Sequence, residues 1–365
     1  MKECGLYIHI PFCEKKCGYC DFYSIVPDKD IMQRYRNKLI TDLEIIAGLT
    51  HNTHQVDTLF IGGGTPDIYD AEVLSFIIDE VKKLFGKGIT EITIEANPNR
   101  KELELPWSDI TRVSFGIQSF SQKDNRFIGR YSDDFSMFSE IPEHPDISID
   151  LLAGLPGMIP ERNINILKDR DILKRLCHIS VYMLSLNGYT TDKIMDMDEF
   201  DNKCVEDYVK YMSEFERSGF VHYEISNLAV KGHECRHNLH YWKYHDYLAA
   251  GAGASCKINN NHYTFPQLDE FFNTDTEGII RSLLNRKVPD DEVLLNTIMM
   301  RLRTEIGIST KDFNTKYLRD ILEILYNRYK GMIKRENDIY RLNRDGMIFY
   351  NTIISDLFLL LEERR

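Results

Sequence analysis

Nowhere in this 365-residue chain do about 18 apolar residues follow one another, so no membrane-spanning helix is expected. No apolar core follows Met1-Lys2-Glu3-Cys4, so no secretory signal is expected either. Basic runs are missing and the formal net charge is −12, which opposes non-specific binding to nucleic acid, because counterion release needs a basic surface. Linkers rich in proline or glycine, low-complexity stretches and repeats of fixed period are absent too. What remains is a cytoplasmic globular protein with no nucleic-acid partner. A transient contact with a membrane surface and the oligomeric state stay open. With 43% hydrophobic residues the chain can bury a sizeable core, and its length suits a large domain joined to a small one.

The hydrophobic pattern alternates strand and helix. Helices are expected over 31–48, 71–85, 122–128, 164–176 and 205–218, and strands over 56–61, 89–95, 112–117, 147–152, 178–184 and 221–225. That rhythm predicts an α/β fold with a parallel sheet and right-handed crossovers, either open or curled into a barrel. In such folds ligands lie at the carboxyl ends of the strands. From 231 to 272 the composition shifts toward histidine and aromatic residues. Beyond Pro289 it turns helical, with Val293, Leu294, Ile298 and Leu302 on one face. Ser309 or Thr310 is expected to cap a second helix, and 318–329 to form a third. A hairpin around Glu336-Asn337-Asp338 and a last helix over 344–361 complete a unit that resembles a winged helix, serving as a packing module rather than a DNA reader.

Eight cysteines without an export signal imply reduced thiols. Cys4, Cys177, Cys204, Cys235 and Cys256 are scattered and read as small buried apolar residues. Cys13, Cys17 and Cys20 are different: three thiols at C-x3-C-x2-C spacing, just after the apolar run that Pro11 stops. Three thiolates can hold three corners of an iron–sulfur cube and leave one iron open to a small molecule. Zinc is the competing reading, but a closed structural zinc site wants four ligands, and no fourth Cys or His follows at close range.

This loop, with Gly62-Gly63-Gly64-Thr65-Pro66 at the end of the next strand, resembles the radical S-adenosylmethionine (SAM) superfamily. Glycines there let backbone approach a ligand and offer its amides to a carboxylate. The resemblance implies a [4Fe-4S] cluster on Cys13, Cys17 and Cys20, whose open iron chelates SAM and, once reduced, can cleave it to a 5′-deoxyadenosyl radical. Tyr7, Glu95 before Asn97-Pro98, Gln118 in Gly116-Ile117-Gln118-Ser119, Arg130 after Gly129, and Asp150 ahead of Gly154-Leu155-Pro156-Gly157 match the oxygen-independent coproporphyrinogen oxidase family. By that likeness they contact SAM, together with Tyr19, Gly63, Gly64 and Thr65. The fold implied is a partial (β/α)6 radical SAM barrel with a small C-terminal winged-helix-like domain. Its expected parts are a core barrel over 1–230, a heme- or substrate-side extension over 231–288 and the C-terminal domain over 289–365.

Within that family the dehydrogenases carry another cysteine two residues after the third and a long arm before the loop. Here the position is Phe22, and twelve residues precede Cys13. His237-Asn238-Leu239-His240-Tyr241-Trp242 is instead similar to the His-Asn-x-x-Tyr-Trp mark of the HemW-type heme chaperones. Imidazole can ligate heme iron while aromatic faces cover the macrocycle, which makes His237, Tyr241 and Trp242 the candidate heme-binding group. His233, His240 and His245 are rival ligands, and a hydrogen-bonded core histidine with packing aromatics is the plain alternative. Ser255, where relatives have histidine, and Asn187, where they tend to be acidic, depart from the pattern. The expected function is heme binding and delivery to heme-accepting apo-proteins, with a reductant for the cluster. The alternative is radical decarboxylation of coproporphyrinogen III.

Overall fold

The computed structural model describes residues 1–98, 104–130, 136–139, 141–186, 196–311 and 316–363. Six strands, β1 (Lys2–Ile10), β2 (His54–Gly63), β3 (Glu91–Ala96), β4 (Arg112–Gln118), β5 (Asp146–Ala153) and β6 (Leu176–Met183), lie side by side in chain order, all parallel. Helices α1 (Lys29–Thr50), α2 (Ala71–Phe85), α3 (Gln122–Phe127) and α4 (Pro160–Asp169) follow strands one, two, four and five, and α5 (Met197–Arg217) follows β6.

Alternation along these strands divides the sheet into two chemistries. Leu6, Ile8 and Ile10 of β1, Leu59 and Ile61 of β2, and Val113, Phe115 and Ile117 of β4 are buried in the main core with Leu39 and Leu43 of α1 and Leu74 and Ile78 of α2. The alternate positions carry Tyr7, His9, Gly62, Glu95, Ser114, Gly116, Asp150 and Ser180, which form the interior of the curved sheet. Asp28 and Asp70 cap α1 and α2 by accepting from the amides of Ile31 and Val73.

The sheet is wider than the alternating pattern predicts. β7 (Val221–Glu224) does not pair with β6; β8 (Asn227–Ala229) lies between them, antiparallel to both. At the other edge β9 (Tyr247–Ala250) runs parallel to β1, followed by antiparallel β10 (Ser255–Ile258) and β11 (Asn261–Thr264). Eleven strands result among the described residues, with the two edges β11 and β7 not joined, so the barrel is partial. The short helix α6 (Arg236–Trp242) sits between β8 and β9 in sequence.

Three local expectations are corrected. The helix expected over 164–176 ends at Asp169, because Asp171 adopts a left-handed conformation (φ 54°), and Leu176 already belongs to β6. Ser309 lies in β12 (Ile308–Ser309), opposite Ile339, and not at a helix cap; 312–315 fall outside the described residues. The last helix is interrupted at Phe349. Asn187 also lies outside the described residues.

Beyond α7 (Thr276–Asn285) a second core gathers Leu294, Ile298, Leu318, Ile321, Leu325, Tyr340, Ile353 and Leu357. It joins helices α8 (Asp290–Arg301), α9 (Lys316–Arg328), α10 (Arg344–Ile348) and α11 (Tyr350–Glu362) to a sheet of β12, β14 (Ile339–Leu342) and β13 (Ile333–Glu336), the winged-helix-like arrangement. The Ile225 amide donates to the Arg303 carbonyl (2.8 Å) and the Glu305 amide to the Tyr223 carbonyl (3.0 Å), tying this unit to the edge of the main sheet.

Candidate functional site

Two backbone hydrogen bonds pinch off the cysteine loop. The Cys13 amide donates to the Ile25 carbonyl (2.9 Å) and the Ile25 amide to the Pro11 carbonyl (2.8 Å). Between them the Gly18 amide reaches the carbonyl of Ile128 (3.1 Å), just after α3. Cys13, Cys17 and Cys20, all free and half-buried, face one cavity of about 330 Å³ at the carboxyl end of the strands. Tyr19, Gly63, Gly64, Thr65, Glu95, Gln118, Arg130 and Asp150 line the same cavity. Tyr7 does not. It lies one layer below, its hydroxyl 2.8 Å from His9 Nδ1, and His9 Nε2 is 3.0 Å from the Tyr23 carbonyl.

The glycine run does something other than offer free amides. The Gly63 amide donates to Glu95 Oε2 (2.9 Å), the Gly64 amide to the Ile10 carbonyl (2.8 Å) and the Thr65 amide to the Phe12 carbonyl (2.8 Å). A Cβ on Gly62 would meet the Glu95 carboxylate at 2.8 Å, and one on Gly64 the Phe12 carbonyl oxygen at 2.5 Å. Gly63 has φ 112° and lies against the His9 ring. These glycines let the end of β2 pack directly onto the cysteine loop. The Thr65 hydroxyl then reaches Cys13 Sγ at 3.4 Å.

Across the cavity, Glu95 and Asp150 are two carboxyls that hold protons more tightly than usual. Burial and the neighbouring Asp150 push Glu95 from 4.5 up to about 7, against the Gly63 amide. Burial raises Asp150 from 3.8 to about 6, against Ser180, Ser114 and Arg130. Arg130 donates to Asn97 Oδ1 at 3.3 Å, while its buried Nε has no partner among the described residues. Gln118 ends β4 with φ 66° at a shift in the β4–β5 register, a strained backbone position beside the site. Ser114, Gly116 and Asn97 also line this cavity, and His9 lies beneath its rim against Gly63; none of them is among the candidate residues read from sequence. The alternation of His9 with Ile8 and Ile10, and of Ser114 and Gly116 with Val113, Phe115 and Ile117, was the available signal.

His237, Tyr241 and Trp242 are elsewhere. Glu91, the first residue of β3, accepts from the amides of Arg236 (2.9 Å) and His237 (2.8 Å) and so fixes α6 under the amino end of the barrel. The His237 ring fits over Gly5, where a Cβ would come within 2.7 Å of it, and lies 5.3 Å from the Phe60 ring. Gly5 and the last residue of β1 are five residues apart, about 16 Å of strand. His237 is fully buried, and both ring nitrogens are taken: Nδ1 by the Thr58 hydroxyl (3.0 Å) and Nε2 by the Tyr241 hydroxyl (2.8 Å). Burial lowers its pKa to about 3, so the ring is neutral. Ligating heme would require one of those two bonds to break. Trp242 lies near Arg303, with its indole Nε1 buried and unpartnered among the described residues. Of the rival histidines, His240 is engaged by Asp57 (2.8 Å) and His245 (3.2 Å), whereas the His233 side chain is 41% exposed.

The radical SAM superfamily profile matches residues 7–200. Two heme chaperones named HemW are similar over the whole chain: that of Buchnera aphidicola is 31% identical, covering 97% of this chain and 98% of its own, and that of Haemophilus influenzae is 30% identical over 98% of each. The chain belongs to the radical SAM superfamily, in its HemW family. Its fold is that of coproporphyrinogen III oxidase (HemN) from Escherichia coli, a radical SAM enzyme, with a TM-score of 0.76 at 19% identity, covering 98% of this chain and 90% of that one.

Radical SAM membership implies a [4Fe-4S] cluster and SAM. The donor set fits them. Three soft thiolates face one cavity with no fourth Cys or His in its lining, as an open-cornered cluster requires. Beside it, the orphaned Nε of Arg130 suits a carboxylate, and the two proton-hungry carboxyls suit a cationic ligand. No helix among the described residues is long and apolar enough to cross a membrane.

Proposed function

We propose that this chain is a heme chaperone that binds heme, a [4Fe-4S] cluster and SAM, and delivers heme to acceptor apo-proteins. The observation that carries the reading is full-length similarity to the HemW heme chaperones in a chain that keeps both the cysteine triad and the His237–Trp242 motif. Cys13, Cys17 and Cys20 would hold the cluster. When bound, cluster and SAM supply one-electron chemistry at the open iron.

The roles of the surrounding residues follow from their chemistry. Arg130 would pair with a carboxylate through its Nε, which has no partner among the described residues, and Glu95 and Asp150 would face ammonium and sulfonium charge or ribose hydroxyls. Gln118 and Tyr19 supply hydrogen-bonding groups to the same wall, and Thr65 orients Cys13. Tyr7 supports His9 and, through it, the Gly63 turn. Gly63 and Gly64 hold the cavity rim against the cysteine loop. His237, Tyr241 and Trp242 form the heme-binding group, which takes up heme only when α6 opens.

The same reading places the barrel at 1–230, its extension at 231–288 and the winged-helix-like part at 289–365, in a cytoplasmic protein served by a reductant. The core that runs from Cys4 to Leu283 and the separate one beginning at Leu294 support the boundary before 289, while β9, β10 and β11 join the extension to the barrel's own sheet.

The test is to reconstitute the cluster anaerobically, titrate with heme, and follow transfer from the complex to a heme-accepting apo-protein, with coproporphyrinogen III turnover assayed in parallel. A stoichiometric heme complex that empties into the acceptor is expected. Sustained porphyrinogen turnover with no stable heme complex would overturn the reading. Cys17→Ala should lose its iron and brown absorbance; unchanged iron content would refute the cluster assignment.

A further inference from the structure

At the amino end of the barrel, opposite the cysteine loop, Asp146, Cys177 and His233 come together from three separate segments. Asp146 is the first residue of β5, Cys177 the second of β6, and His233 lies between β8 and α6. One ligand atom from each lies within 4.8 Å of the other two. We propose that these three side chains form a binding site for a divalent d-block cation of the zinc type.

The donors are a carboxylate, a thiol and an imidazole, the mixture that zinc takes. At zinc–ligand bonds of ~2.0–2.3 Å, tetrahedral donors stand roughly 3.3–3.7 Å apart. Closing from the separation seen here needs movements of about an ångström or less. Asp146 Oδ2 is already 2.8 Å from His233 Nδ1. A cation held by all three side chains therefore takes Nδ1 and replaces the proton between the two groups, which leaves the Nε2 side of the ring uninvolved.

The arrangement is held by the fold. The β5–β6 register shifts between Ile147 and Ser148, so Cys177 is the extra residue of a bulge, a device that re-aims a side chain. The Val230 amide donates to the Cys177 carbonyl (2.9 Å), and the His233 amide closes a turn onto the Val230 carbonyl (2.9 Å). Buried Arg112 donates to the His233 carbonyl (2.7 Å), and the Asp146 amide to the Thr111 carbonyl (3.0 Å). Each ligand-bearing segment is thus fixed by hydrogen bonds to its backbone before any ion arrives, as a preorganised site requires.

Charge balance is favourable. A thiolate, a carboxylate and a neutral imidazole around a dication sum to zero, which limits the cost of keeping the ion half-buried. Arg112 stands 3.5 Å from Asp146 Oδ2 and opposes the cation, but Glu91 at 3.9 Å offsets it. Heme iron does not suit the site. Heme offers two axial positions on opposite faces, whereas here three donors converge on one point.

The test uses the full chain with its iron–sulfur cluster reconstituted, so that the cysteine loop is occupied. After exposure to zinc and desalting, zinc and iron per chain are measured, with the zinc environment read by X-ray absorption at the zinc edge. One zinc per chain is expected, with a single sulfur and two or three nitrogen or oxygen neighbours. Cys177→Ser and His233→Asn should each weaken zinc retention at least tenfold while iron stays at the wild-type level. His233 is partly exposed, so its variant remains informative if Cys177→Ser misfolds. Failure of the wild type to retain zinc, a zinc shell with two or more sulfurs, or zinc retention unchanged in both variants would overturn the proposal.

Discussion

Gly64→Ala is a one-methyl change whose cost can be worked from geometry. The added Cβ would sit 2.5 Å from the Phe12 carbonyl oxygen, 2.8 Å from the Phe12 nitrogen and 2.9 Å from the Ile10 carbonyl oxygen. All three are backbone atoms, so no side chain can swing away, and β2 must part from the cysteine loop. Overpacking of this kind costs about 1–3 kcal/mol. The separation also strains the bonds from Gly64 to Ile10 and from Thr65 to Phe12, both 2.8 Å, at about 0.5–1.5 kcal/mol each. The sum is about 2–6 kcal/mol, a large part of the ~5–15 kcal/mol that keeps a protein folded. Gly48→Ala is the matched control. Gly48 lies in α1, and a methyl added there would have nothing within 4 Å, so alanine should stabilise by about 0.5–1 kcal/mol. Anaerobic urea unfolding of the apo-chain, followed by iron content after reconstitution, reads both consequences. Gly64→Ala should unfold at clearly lower urea and retain less iron than wild type. If it matches wild type in both, the glycine run does not brace the cysteine loop and the reasoning fails.

Three further outcomes are expected. Glu95 is raised from 4.5 to about 7 in the fold, so the folded apo-chain keeps a proton that the unfolded chain releases; that stability is complete below about pH 4.5 and is lost as pH rises through 7. Glu95→Gln should therefore gain on wild type in urea midpoint between pH 5 and 8, and a pH-independent difference would refute the assignment. His237→Ala removes the partner of Thr58 and Tyr241 in a fully buried setting, at about 2–4 kcal/mol; an unchanged thermal midpoint would refute the sealed, doubly bonded placement of the ring. Tyr35→Phe loses a hydroxyl that donates to the His9 carbonyl (2.6 Å) and accepts from the Ala252 amide (3.0 Å), and calorimetry should show about 1–3 kcal/mol of destabilisation.

Much of the barrel could be read without coordinates because its strands announce themselves locally. Leu6, Ile8 and Ile10 alternate with Tyr7 and His9, and the ends of α2 follow from Asp70 and the spacing of Leu74, Ile77, Ile78 and Val81. The cysteine spacing was equally local, since three thiols within eight residues need little help from the rest of the chain to face one cavity. Other features depend on which distant segments pair. Short strands such as 247–250 and 227–229 carry too few residues to show a period, yet they widen the sheet beside β1 and β6. Nothing near His237 in sequence reveals that Thr58 and Gly5 will enclose it, nor does Cys177 reveal that a bulge will turn it toward Asp146 and His233. Residue order by itself determined the strand–helix rhythm and the cluster loop, because periodicity records which side of an element avoids water. Tertiary structure alone decided which histidines are sealed and which groups converge at the barrel floor, because strand order and register join residues that the chain keeps far apart.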